Sequence, residues 1–397
     1  MFMKPKLKMS HPEKRSTVKI CQLLAIVIAA VIFSNCRKEK LIDPVLKSTT
    51  SSAAFAITNA QPQVDAGPVR VVVYPSYTST RLFGGGSDSD GPVTFKWTQT
   101  GGHSTAAIAQ PTNDTTSISG LKPGIYTFTL TVTNKNGTSR SDTTSITVLE
   151  KMTWTIGGTT REALVHLSDG SGPAPVIFAF HGHGGSGIGF ADRFFEFEWP
   201  GAIVVYPQGL PTKSHEDTEG KKSGWQHSAG EINSFTGIKD QDLKFFDAML
   251  STLENSYNAD SRRIFVHGWS NGGSFVYNVL WAARGDKLAA LSSAAATLGT
   301  INGKKTLPVI HIAGTSDPVV HFSSQQKTVQ AVRTLDQCSI TGTTWATGEN
   351  GLLGTRYWSP IHNPVVFLQY DGGHDYPSTV SPLIVRFFKR VAWSINL

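Results

Sequence analysis

The chain has 397 residues, 39% of them apolar and 16% charged, a balance that excludes wholesale disorder and leaves room for two globular domains. Its formal charge of +7 is not a nucleic-acid footprint. Residues 1–35 hold six Lys or Arg (Lys4, Lys6, Lys8, Lys14, Arg15, Lys19) against Glu13, so +5 sits there and only +2 remains for everything after.

Taken in chain order, residues 1–35 read as an export signal: a basic stretch, then eleven apolar residues from Leu23 to Phe33. That run is too short for a transmembrane helix, which needs roughly 20. It ends in Phe33-Ser34-Asn35-Cys36, which resembles a bacterial lipobox. The resemblance implies that Cys36 is lipidated and becomes the mature N-terminus. It implies a protein outside the cytoplasm, held to the outer membrane by its lipid alone. Asn35 departs from the small residue usual at that position; the alternative is an uncleaved anchor or ordinary secretion, with Cys36 an incidental thiol. Under the lipoprotein reading Cys21 is discarded and Cys338 has no partner, so it reads as a buried, small apolar residue. Residues 36–60 turn Ser/Thr/Ala-rich and read as a flexible tether.

From residue 61 to 150 the pattern is that of strands. Val71-Val72-Val73 is β-branched, Phe95 and Trp97 alternate with polar neighbours, and Tyr126, Phe128, Leu130 and Val132 keep strict period two. Asn136-Gly137 supplies a two-residue hairpin turn into a following strand, Ser141 to Val148. Short strands without a helical stretch predict a small antiparallel sandwich. Val64-Asp65-Ala66-Gly67, Gly86-Ser87-Asp88-Ser89-Asp90-Gly91, Phe95-Lys96-Trp97 and Leu121 to Phe128 resemble a PKD-type immunoglobulin-like domain. The resemblance implies a spacer, or a module that contacts carbohydrate or another surface. Asp88 and Asp90 are either calcium ligands or, more commonly for such a Gly/Ser/Asp segment, turn formers.

Residues 151–397 follow a different grammar. Pro175 to Phe180, Ala202 to Tyr206, Ile264 to Val266 and Val309 to Ile312 are short apolar runs that fit buried parallel strands. Helical patterns lie between them, such as Asp240 to Tyr257 and Gly273 to Ala283. The alternation predicts a doubly wound, mostly parallel α/β sheet with its site at the carboxyl ends of the strands.

Every chemical motif falls at such an end. Gly268-Trp269-Ser270-Asn271-Gly272 is a G-x-S-x-G between a strand and a helix, so Ser270 is the candidate nucleophile. A serine needs a base and an orienting carboxylate, expected in the order Ser, acid, His. Asp317, in Gly314-Thr315-Ser316-Asp317-Pro318, comes 47 residues after Ser270, and His374, in Gly372-Gly373-His374-Asp375, comes 57 residues later again. The oxyanion donors are expected to be the N–H of Asn271 and one in His181-Gly182-His183-Gly184-Gly185, that of His183. Of the other histidines, His181 and His183 precede the serine, whereas His267, His311 and His321 adjoin strands and read as packing or hydrogen-bonded residues. No third ligand is spaced to join His181 and His183 in a metal site, and no cofactor is expected.

Residues 160–395 resemble the extracellular polyhydroxybutyrate depolymerases and feruloyl esterases, relatives of carbohydrate esterase family 1. The carriers are His181 to Gly185, Val204-Val205-Tyr206-Pro207-Gln208-Gly209, Asp260 to Gly273, Ile312 to Val320 and Gly372 to Pro377. The resemblance implies an α/β-hydrolase fold with Ser270, Asp317 and His374 as triad. It also implies an acyl-enzyme and an ester substrate, either feruloyl or acetyl groups on plant polysaccharide or a hydroxyalkanoate polyester. Relatives often carry Cys where His183 stands and Trp where Tyr376 stands; the second change alters a pocket wall and makes Tyr376 a candidate substrate contact. Gly224-Trp225-Gln226-His227 is similar to an aromatic loop near the substrate, and Trp225 either stacks on a phenolic or sugar ring or packs beneath a long loop. Competing readings are a serine peptidase of the prolyl oligopeptidase group, whose large propeller the 90-residue sandwich cannot supply, and a surface binding protein with an inert hydrolase fold.

Overall fold

A computed structural model describes residues 61–214 and 217–395. The export signal, Cys36 and the tether lie outside them. Among the described residues no helix is long and apolar enough to cross a membrane.

The first nine strands are β1 (Gln63–Asp65), β2 (Arg70–Tyr74), β3 (Ser79–Phe83), β4 (Gly85–Ser87), β5 (Val93–Gly101), β6 (Ala107–Ile108), β7 (Thr115–Ser119), β8 (Gly124–Asn134) and β9 (Ser139–Ile156). The order β5-β8-β9 forms one sheet of a sandwich, with β2 also on β9, and β3-β7-β6 forms the other. The alternation along β8 sends Tyr126, Phe128, Leu130 and Val132 inward, where they pack with Trp97, Ile118 and Ile146. The Tyr126 hydroxyl turns back to accept from the Lys122 N–H (2.9 Å) and reaches Lys122 O (3.0 Å), so this buried phenol keeps its partners.

Two expectations change. The sandwich is not wholly antiparallel, because β2 runs parallel to β9, Arg70 opposite Ile146 through Tyr74 opposite Glu150. The β8–β9 turn is a residue longer than Asn-Gly alone implies. The Asn134 N–H bonds Thr138 O at 2.9 Å around Lys135-Asn136-Gly137, and Gly137 takes the left-handed φ of 82° that a three-residue turn needs. Asp88 and Asp90 serve that turn. Asp88 Oδ1 accepts the Asp90 N–H, while Asn134 Nδ2 and Asn136 Nδ2 donate to Asp88 Oδ2 and Asp90 Oδ2 at 3.1 and 3.2 Å.

Strand β9 then runs on into the second half. Its first part pairs with β8 as far as Val148, and from Glu150 to Ile156 it pairs with β10 (Thr159–His166). The remaining strands are β11 (Ala174–Phe180), β12 (Ile203–Pro207), β13 (Leu210–Pro211), β14 (Ser223–Gly224), β15 (Ala259–Trp269), β16 (Ala290–Ala294), β17 (Val309–Gly314), β18 (Thr343–Thr347), β19 (Leu353–Tyr357) and β20 (Val365–Tyr370). Across the sheet the order is β9-β10-β12-β11-β15-β16-β17-β20-β19-β18. The six strands from β12 to β20 are parallel and the edges antiparallel. This is the doubly wound, mostly parallel sheet expected.

Helices cover both faces because the central strands are apolar on both. Helix α1 (Gly187–Ala191), α2 (Phe195–Glu198) and α7 (Val380–Ile395) close one side around Phe265 and Leu368. On the other lie α3 (Gln241–Ser256), the run α4 (Asn271–Phe275), π-turn Val276–Leu280 and α5 (Trp281–Arg284), and α6 (Phe322–Leu335), around Phe178 and Val266. One ion pair is locked inside this layer. Arg161 of β10 meets Asp242 of α3 at 2.9 Å with both side chains almost fully buried, and Asp242 Oδ2 also accepts the Gln226 N–H at 2.8 Å. Removing either partner alone, as in Arg161→Leu, is expected to cost about 3–5 kcal/mol because the other charge stays buried; chemical denaturation measures it.

Cys338 is only partly buried at the edge of this core, its Sγ 3.8 Å from Asn363 O. Next to it, Asp336 ends α6 with its carboxyl buried. Oδ1 accepts the Leu307 N–H at 3.2 Å, and Oδ2 has no partner among the described residues. Burial raises this carboxyl from 3.8 to about 8. Between those values the folded chain holds a proton the unfolded chain has lost, so folded stability falls as pH rises across that window. Asp336→Asn keeps an acceptor for Leu307 and cannot ionise. Its Tm is therefore expected to vary less between pH 5 and 8 than that of the wild type and to exceed it at pH 8. A Tm curve parallel to wild type would refute this.

Candidate active site

Ser270 sits where β15 ends and α4 begins, with φ 55° and ψ −118°, a backbone region costly for a non-glycine residue. The flanking glycines make the turn feasible. A Cβ on Gly268 would stand 2.2 Å from Gly272 O, and one on Gly272 would stand 2.4 Å from Phe180 O. The Ser270 N–H is tied to Ala294 O at 2.9 Å.

The structure brings Ser270, His374 and Asp317 together from three different loops. Ser270 Oγ lies 2.9 Å from His374 Nε2, and His374 Nδ1 lies 2.9 and 3.1 Å from the Asp317 carboxylate oxygens. The Asp317 side chain is sealed from solvent, whereas that of His374 is 16% exposed. Asp317 Oδ1 also accepts the N–H groups of Val319 and Val320, both at 2.9 Å. The loop carrying His374 is pinned by Tyr370, whose hydroxyl donates to Asp375 O at 2.8 Å. The Trp269 ring lies 5.5 Å from the His374 ring. Tyr370 and Trp269 carry no sequence signal beyond being aromatic residues beside a motif.

The His181–Gly185 loop passes directly against the serine, a Cβ on Gly182 falling 3.4 Å from Ser270 Cβ. His181 anchors it. Burial pushes this imidazole down to about 4, so it is neutral; its Nε2 accepts the Gly209 N–H at 3.0 Å and its Nδ1 donates to Gly182 O at 2.7 Å. Asn271 opens α4 with its N–H among the unpaired donors of a helix start. Its side chain accepts the Trp225 N–H at 2.7 Å and donates to Trp225 O at 3.2 Å. The His183 ring turns toward Asp217 Oδ2 (3.3 Å) and Ser214 Oγ (3.4 Å). Hydrogen bonds from the backbone, that of Lys222 foremost, hold the Asp217 carboxyl below its ordinary range.

Of the two candidate substrate contacts, Trp225 takes its packing alternative and Tyr376 is corrected. Trp225 is completely buried, edge-on to Phe180 and stacked with Phe275, and its Nε1 donates to His181 O at 2.8 Å. The ring therefore lies under the His181–Gly185 loop and has no face left for a ligand. Tyr376 is buried too. Its hydroxyl meets His267 Nε2 (3.0 Å) and Ser381 Oγ (3.4 Å), and its ring packs on Phe190 beneath the Arg193 guanidinium. It belongs to the α1–α7 layer, not to a pocket wall. Motif likeness could not show this, since it says nothing of what folds over an aromatic side chain.

Among the described residues, no group of three or more His, Cys, Asp or Glu side chains gathers as a metal site. What the arrangement provides is a hydroxyl, an imidazole and a carboxylate in line, beside a glycine-rich loop and a helix start rich in N–H donors. That fold and constellation define an α/β-hydrolase.

Comparison with known proteins narrows the class. Residues 66–148 match a family of PKD domains. Feruloyl esterase C of Emericella nidulans is 28% identical over 229 residues, covering 54% of this chain and 76% of its own length. A bifunctional acetylxylan esterase/xylanase of Neocallimastix patriciarum is 24% identical over 186 residues, covering 45% of this chain and 25% of its own length. A solved ferulic acid esterase, 16% identical, covers 61% of this chain and 98% of its own with a TM-score of 0.43. The chain is a feruloyl esterase-like α/β-hydrolase preceded by a PKD domain, and a carboxylic ester hydrolase.

Trp225→Phe retains the packing and loses the bond to His181 O. It is expected to lower kcat about fivefold, the worth of one ~1 kcal/mol hydrogen bond. The ratio of rates on aromatic and aliphatic acyl esters should not move; a changed ratio with unchanged kcat would restore Trp225 as a ligand contact.

Proposed function

We propose that the chain removes feruloyl or acetyl groups from plant polysaccharide through an acyl-enzyme on Ser270. The hydrogen-bonded line from Ser270 Oγ through His374 to Asp317 carries this reading, with 2.9 Å at each junction. The names of the relatives support the acyl groups, and the PKD domain suits an enzyme that contacts carbohydrate or another surface.

The mechanism follows from the atoms. His374 Nδ1–H donates to Asp317, which leaves Nε2 free to take the Ser270 proton as Oγ attacks the acyl carbon. The carbonyl π electrons move to oxygen, and that oxyanion rests on the N–H groups of Asn271 and His183. His374 then hands its proton to the departing alkoxide, and the ester C–O bond breaks. A water deprotonated by His374 attacks the acyl-enzyme, releasing the acid and restoring Ser270. Asp317 keeps the imidazole in this tautomer and stabilises the imidazolium.

Export and lipidation at Cys36 complete the proposal, placing the enzyme at the outer membrane. Cys36→Ser is expected to release it from the membrane fraction and to abolish incorporation of labelled fatty acid.

Ser270→Ala is expected to lower kcat by about 10⁶-fold, as loss of a triad nucleophile does. Methyl ferulate, acetylated xylan, a hydroxybutyrate oligomer and a Pro-linked dipeptide amide, offered to the full chain, discriminate the substrate classes. Turnover of the first two and not the amide is expected. Hydrolysis confined to the hydroxybutyrate oligomer would replace polysaccharide with polyester, and full activity of Ser270→Ala would remove the nucleophile.

A further inference from the structure

Asp317 is held by more than His374 and two backbone N–H groups. Gln325 of α6, completely buried, places its Nε2 3.3 Å from Asp317 Oδ2 and 2.7 Å from Val320 O. Both neighbours only accept, so the atom facing them is the amide NH₂, and the orientation of this side chain is settled by chemistry. Its Oε1 then points the other way, 3.0 Å from His311 Nε2.

An amide oxygen cannot donate, so His311 Nε2 carries a hydrogen. The ring is buried, which pushes it down to about 4 and keeps it neutral with a single N–H. Its Nδ1 is therefore a bare lone pair, and the Tyr277 hydroxyl, 2.9 Å away, donates to it. Each link has one assignment: Tyr277 O–H to His311 Nδ1, His311 Nε2–H to Gln325 Oε1, Gln325 Nε2–H to Asp317 Oδ2. No solvent reaches any of the three side chains.

The path also closes on itself. Tyr277 lies in the π-turn that continues the helix begun just after Ser270, seven residues beyond the serine. His311 lies on β17, whose end carries Asp317. A ring thus runs from Ser270 along its helix to Tyr277, across the relay to Asp317, and through His374 back to Ser270.

We propose that Tyr277, His311 and Gln325 form a one-directional hydrogen-bond relay that positions the Asp317 carboxylate for His374. Gln325 is its terminal positioning residue, coupling the acid to the helix that bears the nucleophile. The relay rests on the triad reading above. It differs from simple core packing because each member matters only through the next.

The test is a double-mutant cycle on the full chain with p-nitrophenyl acetate as substrate and thermal unfolding as a control. Gln325→Leu is expected to lower kcat about 10-fold or more, the effect of losing a hydrogen bond to a charged group, with KM within about twofold. His311→Phe, which touches no triad atom, should lower kcat comparably. In the Gln325→Leu background it should add nothing. Losses that multiply in the double variant, or a folded Gln325→Leu enzyme with wild-type kcat, overturn the proposal. Should the core variants not fold, Tyr277→Phe removes one oxygen only. It is expected to lower kcat and to shift or broaden the low-field ¹H resonance of the proton between His374 and Asp317; wild-type kcat with an unmoved resonance overturns the relay. Ser270→Ala separates the two ideas. An active Ser270→Ala enzyme defeats the triad, whereas an inactive one beside a fully active Gln325→Leu enzyme defeats the relay alone.

Discussion

The positive-φ backbone of Ser270 is feasible because its neighbours at 268 and 272 are glycines, whose missing side chains leave room for two carbonyl oxygens. Gly268 faces Gly272 O, and Gly272 faces Phe180 O, each at a separation that no Cβ survives. The cost of that φ is met by the sheet on one side and the helix on the other, through the bond from the Ser270 N–H to Ala294 O and that from the Ser274 N–H to Ser270 O. Once the turn is fixed, the rest of the site becomes a matter of bringing loops to it. The ends of β17 and β20 deliver Asp317 and His374, and the end of β11 delivers the glycine-rich loop.

Buried imidazoles perform much of that delivery. Burial holds His181 and His311 neutral at about 4 and His267 at about 3. A neutral ring offers one donor and one acceptor in a rigid plane, which suits it to bridging two fixed groups. His181 joins the glycine-rich loop to Gly209, His311 joins Tyr277 to Gln325, and His267 lies between Ser292 and Tyr376. Among the described residues, the histidine in contact with Ser270 Oγ, His374, keeps part of its side chain in solvent. The same residue type thus serves as brace where it is sealed and as candidate base where it is not.

Much of this was legible before any coordinates. Period two in β8 and apolar runs in β11, β12, β15 and β17 report burial directly, because the pleat and the two-sided helical cover dictate which positions meet water. The motif around Ser270 was legible because its glycines answer a steric demand local to five residues. Trp225 and Tyr376 were not, since a lone aromatic reads the same whether a ligand or the protein's own loop lies over it. Gln325 was silent for a related reason. A buried amide gains meaning only from the donors and acceptors it faces, and those come from residues 5, 8 and 14 positions away. The composition change near residue 150 is real, yet it falls inside one unbroken strand.

That shared strand has a mechanical consequence. Eighteen residues of continuous strand join the sandwich to the esterase half, and each part of β9 is stitched sideways to its own neighbours, β8 and β2 first, β10 afterwards. Load applied along the strand is shared by many hydrogen bonds in shear instead of opening them one at a time. A surface contact made through the sandwich, as proposed above, would therefore set the bearing of Ser270, as a bracket aims a tool.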